Sequence, residues 1–191
     1  MESKPRGKLV VVSAPSGAGK TTIARALLDY FPGMTFSVSA TTRKKRAGET
    51  EGRDYLFLAR EDFQRLVDAG KFVEWEEIYG DLYGTLRSEV ERARREGRHL
   101  LFDVDVKGGL SIKRAYPDAL LIFVRPPSVD VLMERLRGRK TEDDATVARR
   151  MARVPMEMEL GNRFDHTIVN DVLERAVAEA RELVTHHLIE S

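Results

Sequence analysis

The chain of 191 residues contains no cysteine. Disulfides, thiol nucleophiles and cysteine-ligated metal centres are therefore excluded at once. No apolar run approaches the ~20 residues that a membrane-spanning helix requires, and residues 1 to 8 hold no apolar segment of the kind a secretory leader carries. An excess of one charge is also lacking, since 32 Lys and Arg nearly cancel 31 Asp and Glu, for a net +1. That balance gives no electrostatic reason to bind nucleic acid or a membrane. The expectation is a soluble, cytoplasmic protein. What the chain does have is a hydrophobic fraction of 42%, enough for one good core with mobile subdomains but not for two large domains.

Directly after the β-branched stretch that ends at Val12 come Ala14, Pro15, Ser16, Gly17, Ala18, Gly19, Lys20, Thr21 and Thr22. Gly17 and Gly19 have no Cβ, so the backbone there can turn sharply and aim successive N–H groups at an anion. A helix follows, with Ile23, Ala24, Leu27, Leu28 and Phe31 on one face and Pro32-Gly33 as its stop. Its positive end points at the same anion, Lys20 can neutralise β- and γ-phosphates, and the Thr21 hydroxyl is placed for Mg²⁺. The expected ligand is a nucleoside triphosphate. Ala14 stands where the strict pattern has its first Gly, and an ordinary surface turn is the alternative; the flanking strand and helix favour the phosphate loop.

Short apolar runs alternate with helical patterns. Strands are expected near 9–12, 35–38, 99–104, 120–124 and 166–169, and helices near 20–31, 109–116, 129–137, 142–160 and 172–188. This alternation predicts an α/β fold with a parallel sheet covered on both faces. Pro126-Pro127-Ser128 and Asn170-Asp171 supply helix-start signals. Two segments interrupt the pattern. Residues 39–97 hold a basic loop, a strand from Tyr55 to Leu58, a helix closed by Gly70, a strand from Phe72 to Ile78 and a helix closed by Gly97. Residues 135–155 are Arg-rich, and Pro155 is expected to kink or interrupt the helix there.

The first insertion packs hydroxyls, Arg43 and Arg46 three apart, and the glycines Gly48 and Gly52 between Ser39 and Tyr55. A guanidinium fork and hydroxyls suit a phosphate monoester; a charged surface hairpin is the alternative. Glu74 places a carboxylate in an apolar strand. Asp103 and Asp105 straddle Val104, and period-2 geometry puts both on one face at the carboxyl end of a strand, where they can hold Mg²⁺ waters or hydrogen-bond donors. A helix cap or surface ion pair is the plainer role for Asp105.

Together these residues resemble one family, the guanylate kinases. The likeness runs through the phosphate loop, Ser-x-Thr-Thr-Arg-x-x-Arg-x-Gly-Glu from Ser39 to Glu49, Asp54-Tyr55, Glu74-Trp75, Tyr83-Gly84-Thr85, Asp103-Val104-Asp105, Gly138-Arg139 and Ile168-Val169-Asn170-Asp171. The resemblance implies a phosphate-loop NTPase core with a five-stranded parallel sheet flanked by helices (7–38, 98–134 and 156–191), a mixed α/β GMP-binding subdomain (39–97) and a short helical lid (135–155). It implies transfer of the γ-phosphoryl group of MgATP to GMP, giving ADP and GDP, in purine nucleotide metabolism and GMP recycling. ATP and GMP would be the partners, with neither nucleic acid nor membrane. By matching positions, residues 14–22 would bind ATP, and Thr21 and Asp103 would hold Mg²⁺, partly through water. Ser39, Arg43, Arg46, Tyr55 and Tyr83 would hold the GMP phosphate, Glu49 would also belong to the GMP site, and Glu74, Thr85 and Asp105 would read the guanine. Lys20, Arg43, Arg135, Arg139 and Arg150 would carry catalysis. Guanine presents O6 as acceptor and N1–H and N2–H₂ as donors, so one hydroxyl and two carboxylates match its edge. Lys140 replaces a usual Gly, and Phe164-Asp165-His166 replaces a common Tyr-Asp pair. Two other readings are a different kinase or ATPase on the same loop, and a peptide-binding scaffold domain. The latter is expected to lose the phosphate-loop residues, whereas Lys20 is present.

Overall fold

The computed structural model describes residues 6–78, 80–137 and 144–189. The chain runs through β1 (Leu9–Ser13), α1 (Lys20–Tyr30), β2 (Met34–Phe36), β3 (Ser39–Thr41), β4 (Tyr55–Phe57), α2 (Arg60–Asp68), β5 (Phe72–Ile78) and β6 (Asp81–Leu86). It continues through α3 (Arg87–Arg95), β7 (His99–Asp103), α4 (Val106–Ala115), β8 (Leu120–Arg125), α5 (Val129–Arg137), α6 (Asp144–Gly161), β9 (His166–Val169) and α7 (Leu173–Ile189).

Five strands form a parallel sheet in the order β2-β7-β1-β8-β9. The alternation of β1 explains why both faces are covered. Val10 and Val12 pack with Ile23, Leu27, Ala180 and Val184 on one side. Leu9 and Val11 pack with Val90, Ile112 and Phe164 on the other. A strand buried on both faces has to be apolar throughout, which is why β1 and β8 were readable as strands. A second sheet, ordered β4-β3-β6-β5, is mixed: β3 and β4 are parallel, while β6 is antiparallel to β3 and to β5. Its own small core places Phe63 of α2 against Phe72 of β5, stacked with ring centroids 4.4 Å apart.

Several expectations shift. The segment expected as a basic loop contains β3, and β6 is a strand that the pattern did not signal. Gly84 interrupts the apolar pattern of β6, yet a Cβ there would sit 2.8 Å from the Glu74 carbonyl oxygen and the Phe72 ring, so the close β5–β6 approach needs glycine. Helix α4 begins at Val106 rather than 109, because the Asp105 side chain caps it by accepting the Gly108 N–H. Helix α6 continues through Pro155 without interruption. Ser128 Oγ accepts the Val131 N–H, as the start signal of α5 implied.

His99 ties together the starts of the neighbouring parallel strands β1 and β7: its Nδ1 accepts the Lys8 N–H at 3.0 Å. Burial, and then the Lys8 charge, hold this imidazole below its ordinary pKa, and burial does the same for His187. A ring kept neutral in the fold but free to charge when unfolded contributes stability that is complete above about pH 6.5 and fades as pH falls below it. Raised acids such as Glu76 act in the opposite sense over this range, so the histidine contribution is read as a difference: from pH 7.5 to 5.5 the melting temperature of the wild type is expected to drop relative to that of His99→Asn, which keeps an acceptor but cannot be protonated. Identical pH dependence in the two proteins would contradict the assignment.

Candidate active site

The phosphate loop is the turn between β1 and α1. Gly17 and Gly19 adopt φ of 92° and 98°, and Gly19 is the left-handed cap of α1. A Cβ at Gly19 would lie 2.3 Å from the Asn170 amide nitrogen, so no other residue fits there. Asn170, 5% exposed, donates from Nδ2 to the Ala18 carbonyl at 2.8 Å. Its expected capping role is thus replaced by one of pinning the loop from the end of β9. Within the loop the Ala18 N–H turns back to the Pro15 carbonyl at 3.0 Å. The first turn of α1 carries no acidic side chain, which leaves its positive end available to an anion.

Adjacent strands set the next contact. Val12 of β1 is in register with Asp103 of β7, and Lys20 Nζ consequently lies 2.6 Å from Asp103 Oδ1 and 3.2 Å from the Val104 carbonyl. Thr21 Oγ1 lies 3.4 Å from Asp103 Oδ2. A hydroxyl and one carboxylate are hard oxygen donors that fit Mg²⁺, which keeps waters and takes one or two carboxylates beside substrate phosphates. Among the described residues no group of three or more His, Asp or Glu could cage a metal unaided. Arg150 Nη1 donates to Ser16 Oγ at 2.8 Å, and Arg135 Nη2 to the Asn170 carbonyl at 3.2 Å. Arg139 and Lys140 lie outside the described residues. A cavity of about 300 Å³ opens here, lined by the loop through Thr22 and by Glu76, Asp105, Arg150, Arg153 and Glu157.

A second cavity, of about 340 Å³, lies beyond Thr21 and Asp103 and is lined by Ser39, Glu49 and Tyr55 among others. Arg43 grips Glu49 through both guanidinium nitrogens at 2.6 and 3.2 Å, with its Cζ 5.3 Å from the Tyr55 ring centroid. The pairing raises the Arg43 pKa and holds the Glu49 carboxyl below its usual range. Tyr83 meets Tyr55 edge-on at 6.1 Å. Arg46 contributes its backbone N–H to Glu49 at 2.7 Å, and its side chain is exposed. On β5 and β6, the fully buried Thr85 donates its hydroxyl to Glu74 Oε1 at 2.6 Å. Burial pushes the Glu74 pKa up, while the Thr85 bond opposes the rise.

Asp103 and Asp105 do not act as one pair. The strand ends at Asp103, so alternation does not carry through Val104. Asp105 instead caps α4 with Oδ1, accepting the Gly108 N–H at 2.8 Å, and meets Arg153 with Oδ2 at 3.0 Å. Both plainer roles expected for Asp105 are thus present. Arg153, Glu76 and Glu157 were missed. Glu76 lies two residues from Glu74 on the same face of β5, and Arg150, Arg153 and Glu157 are spaced to share one face of α6; those spacings were the available signal. Burial and the neighbouring Asp105 push Glu76 up to about 7, against the pull of Arg153. Trp75 points away from Glu74 and is 47% exposed.

The guanylate kinase family model matches residues 6–187. Over 177 residues the chain is 52% identical to a guanylate kinase of Salinibacter ruber, covering 92% of this chain and 94% of that protein. It is 47% identical over 184 residues to a guanylate kinase of Symbiobacterium thermophilum, covering 96% and 87%. The crystal structure of a guanylate kinase from Anaplasma phagocytophilum superposes with a TM-score of 0.74 at 30% identity, covering 98% of this chain and 89% of that one. With the phosphate loop, the parallel core and near full-length similarity in agreement, the chain belongs to the guanylate kinase family.

Proposed function

We infer that this protein transfers the γ-phosphoryl group of ATP to GMP, giving ADP and GDP. The observation that carries the reading is the position of Thr21: it lines both the phosphate-loop cavity and the cavity of Ser39, Glu49 and Tyr55. A triphosphate on the loop and a monophosphate in the second cavity would therefore meet at the first turn of α1.

Each protein group then has a definite task. The loop amides and Lys20 bind the triphosphate, with Lys20 exchanging Asp103 for β- and γ-phosphate oxygens. Thr21 and Asp103 would hold Mg²⁺, partly through water, and the ion would neutralise charge on the phosphate oxygens. Ser39, Arg43, Arg46, Tyr55 and Tyr83 bind the GMP phosphate, Arg43 turning its fork from Glu49 toward the incoming dianion. Glu74 and Asp105 accept from the guanine N1 and N2 donors. The Thr85 hydroxyl is committed to Glu74; it orients that carboxylate and donates to O6 only after rotating. Arg135 and Arg150 surround the transferring group, where charge spreads over its oxygens, and Arg139, outside the described residues, is assigned the same task by resemblance. Such a reaction asks for alignment and cations rather than covalent help. Segments 39–97 and 135–155 close over the substrates and exclude water, preventing ATP hydrolysis. Among the described residues no helix is long and apolar enough to cross a membrane; both substrates are soluble, and we place the protein in the cytoplasm.

In a coupled assay of ADP formation, GMP is expected to exceed AMP, UMP, CMP and dTMP in kcat/KM by roughly three to four orders of magnitude, the discrimination that unpaired buried polar groups impose on a wrong base. Comparable turnover of AMP would contradict guanine reading. Glu74→Gln is expected to raise KM for GMP by about 10- to 100-fold, the equivalent of one charged hydrogen bond, with kcat nearly unchanged. A fall in kcat at constant KM would instead place Glu74 in the transition state.

A further inference from the structure

Arg153 lies on the wall of the phosphate-loop cavity, and the reaction as assigned gives it no task. Its guanidinium stands 3.0 Å from Asp105 Oδ2, 3.1 Å from Glu76 Oε1 and, through Nε, 3.5 Å from Glu157 Oε1. The three carboxylates come from the cap of α4, from β5 and from α6 itself. Glu157 is only 7% exposed, and its Oε2 has no hydrogen-bond partner. One cation thus serves three acids, one of them nearly dry, so its removal would leave like charges facing one another across the cavity.

We propose that Arg153 is a positioning residue for guanine recognition, fixing the Asp105 carboxylate at Oδ2 opposite the Gly108 amide at Oδ1 and separating it from Glu76. The proposal rests on the reading of Asp105 as a base reader. Each carboxylate oxygen has two acceptor sites, so Asp105 can accept from Arg153 and from the base together. A carboxylate held at both oxygens has little freedom to swing, which is the preorganisation that recognition needs. Arg150, three residues earlier on the same helix, contacts Ser16 of the phosphate loop. Two arginines three residues apart on α6 therefore contact the phosphate loop and the proposed base reader. Burial and Asp105 together push Glu76 up to about 7, the mark of an acid crowded against another.

Steady-state kinetics on the full chain test this. Arg153→Gln is expected to raise KM for GMP tenfold or more, while KM for ATP and kcat change less than threefold. Arg153→Lys, which retains a point charge, recovers part of the loss. Adding Glu76→Gln to Arg153→Gln lowers KM for GMP again, because the uncompensated neighbour of Asp105 is neutralised. A purely structural Arg153 would lower the melting temperature and raise both KM values together, with no recovery from Glu76→Gln, and that result overturns the proposal. Should Arg153→Gln fail to fold, the same KM split is read in Arg153→Lys. Asp105→Asn separates the two levels of the argument. If it leaves KM for GMP unchanged, the base-reader assignment fails and takes the proposal with it; if it raises KM for GMP while the Arg153 variants do not, the proposal alone fails.

Discussion

The contact between Lys20 and Asp103 at 2.6 Å is where the parallel sheet, the phosphate loop and the second cavity are tied together. It exists because β1 and β7 are neighbours in register, so the residue ending one strand faces the helix that follows the other. Moving the register by one residue would turn Asp103 to the opposite face. Lys20 would then have no anchor, and the hydroxyl of Thr21 would lose the carboxylate beside it. The crevice at the carboxyl ends of parallel strands is where α/β folds gather ligands. Here it is filled in advance by a cation and an anion in contact.

The same arrangement recurs around the site. Arg43 is held by Glu49, Lys20 by Asp103, and Arg153 by three carboxylates. Cations of the site are thus partnered by acids, each partly withdrawn from water, and this pairing accords with a net charge of only +1 despite so many basic residues. At Lys20, phosphate oxygens can take the place of the carboxylate at little reorganisation cost, since the ammonium group already lines the phosphate-loop cavity. The acid released at Lys20 would be useful in turn, with Asp103 beside Thr21, whereas Arg153 in the proposed reading keeps its hold on Asp105.

Residues with a local cause were legible from the sequence. β1 and β8 are apolar at nearly every position because helices cover both faces, and the loop glycines follow from a turn that only glycine can make at φ near +98°. β3 and β6 were not legible. One is three residues with two hydroxyls, the other carries Asp81 and Gly84, and both are strands only because partners distant in sequence complete their ladders. Asp105 was read as the partner of Asp103 because period 2 was carried past the end of the strand; the cap on Gly108 decides otherwise. Arg153 was hidden for a related reason. Its partners are 77 and 48 residues away, and within its own segment it reads only as one more charge on a basic helix.

The central claim is that donor and acceptor nucleotides bind in separate cavities that meet at Lys20, Thr21 and Asp103. A crystal structure of the protein with GMP and a non-hydrolysable ATP analogue measures this directly. The account predicts the GMP phosphate among Ser39, Arg43 and Tyr55, the guanine edge against Glu74 and Asp105, and Lys20 Nζ transferred from Asp103 to the β- and γ-phosphates. Guanine bound away from Glu74, or Lys20 still paired with Asp103 beneath a bound triphosphate, would contradict it.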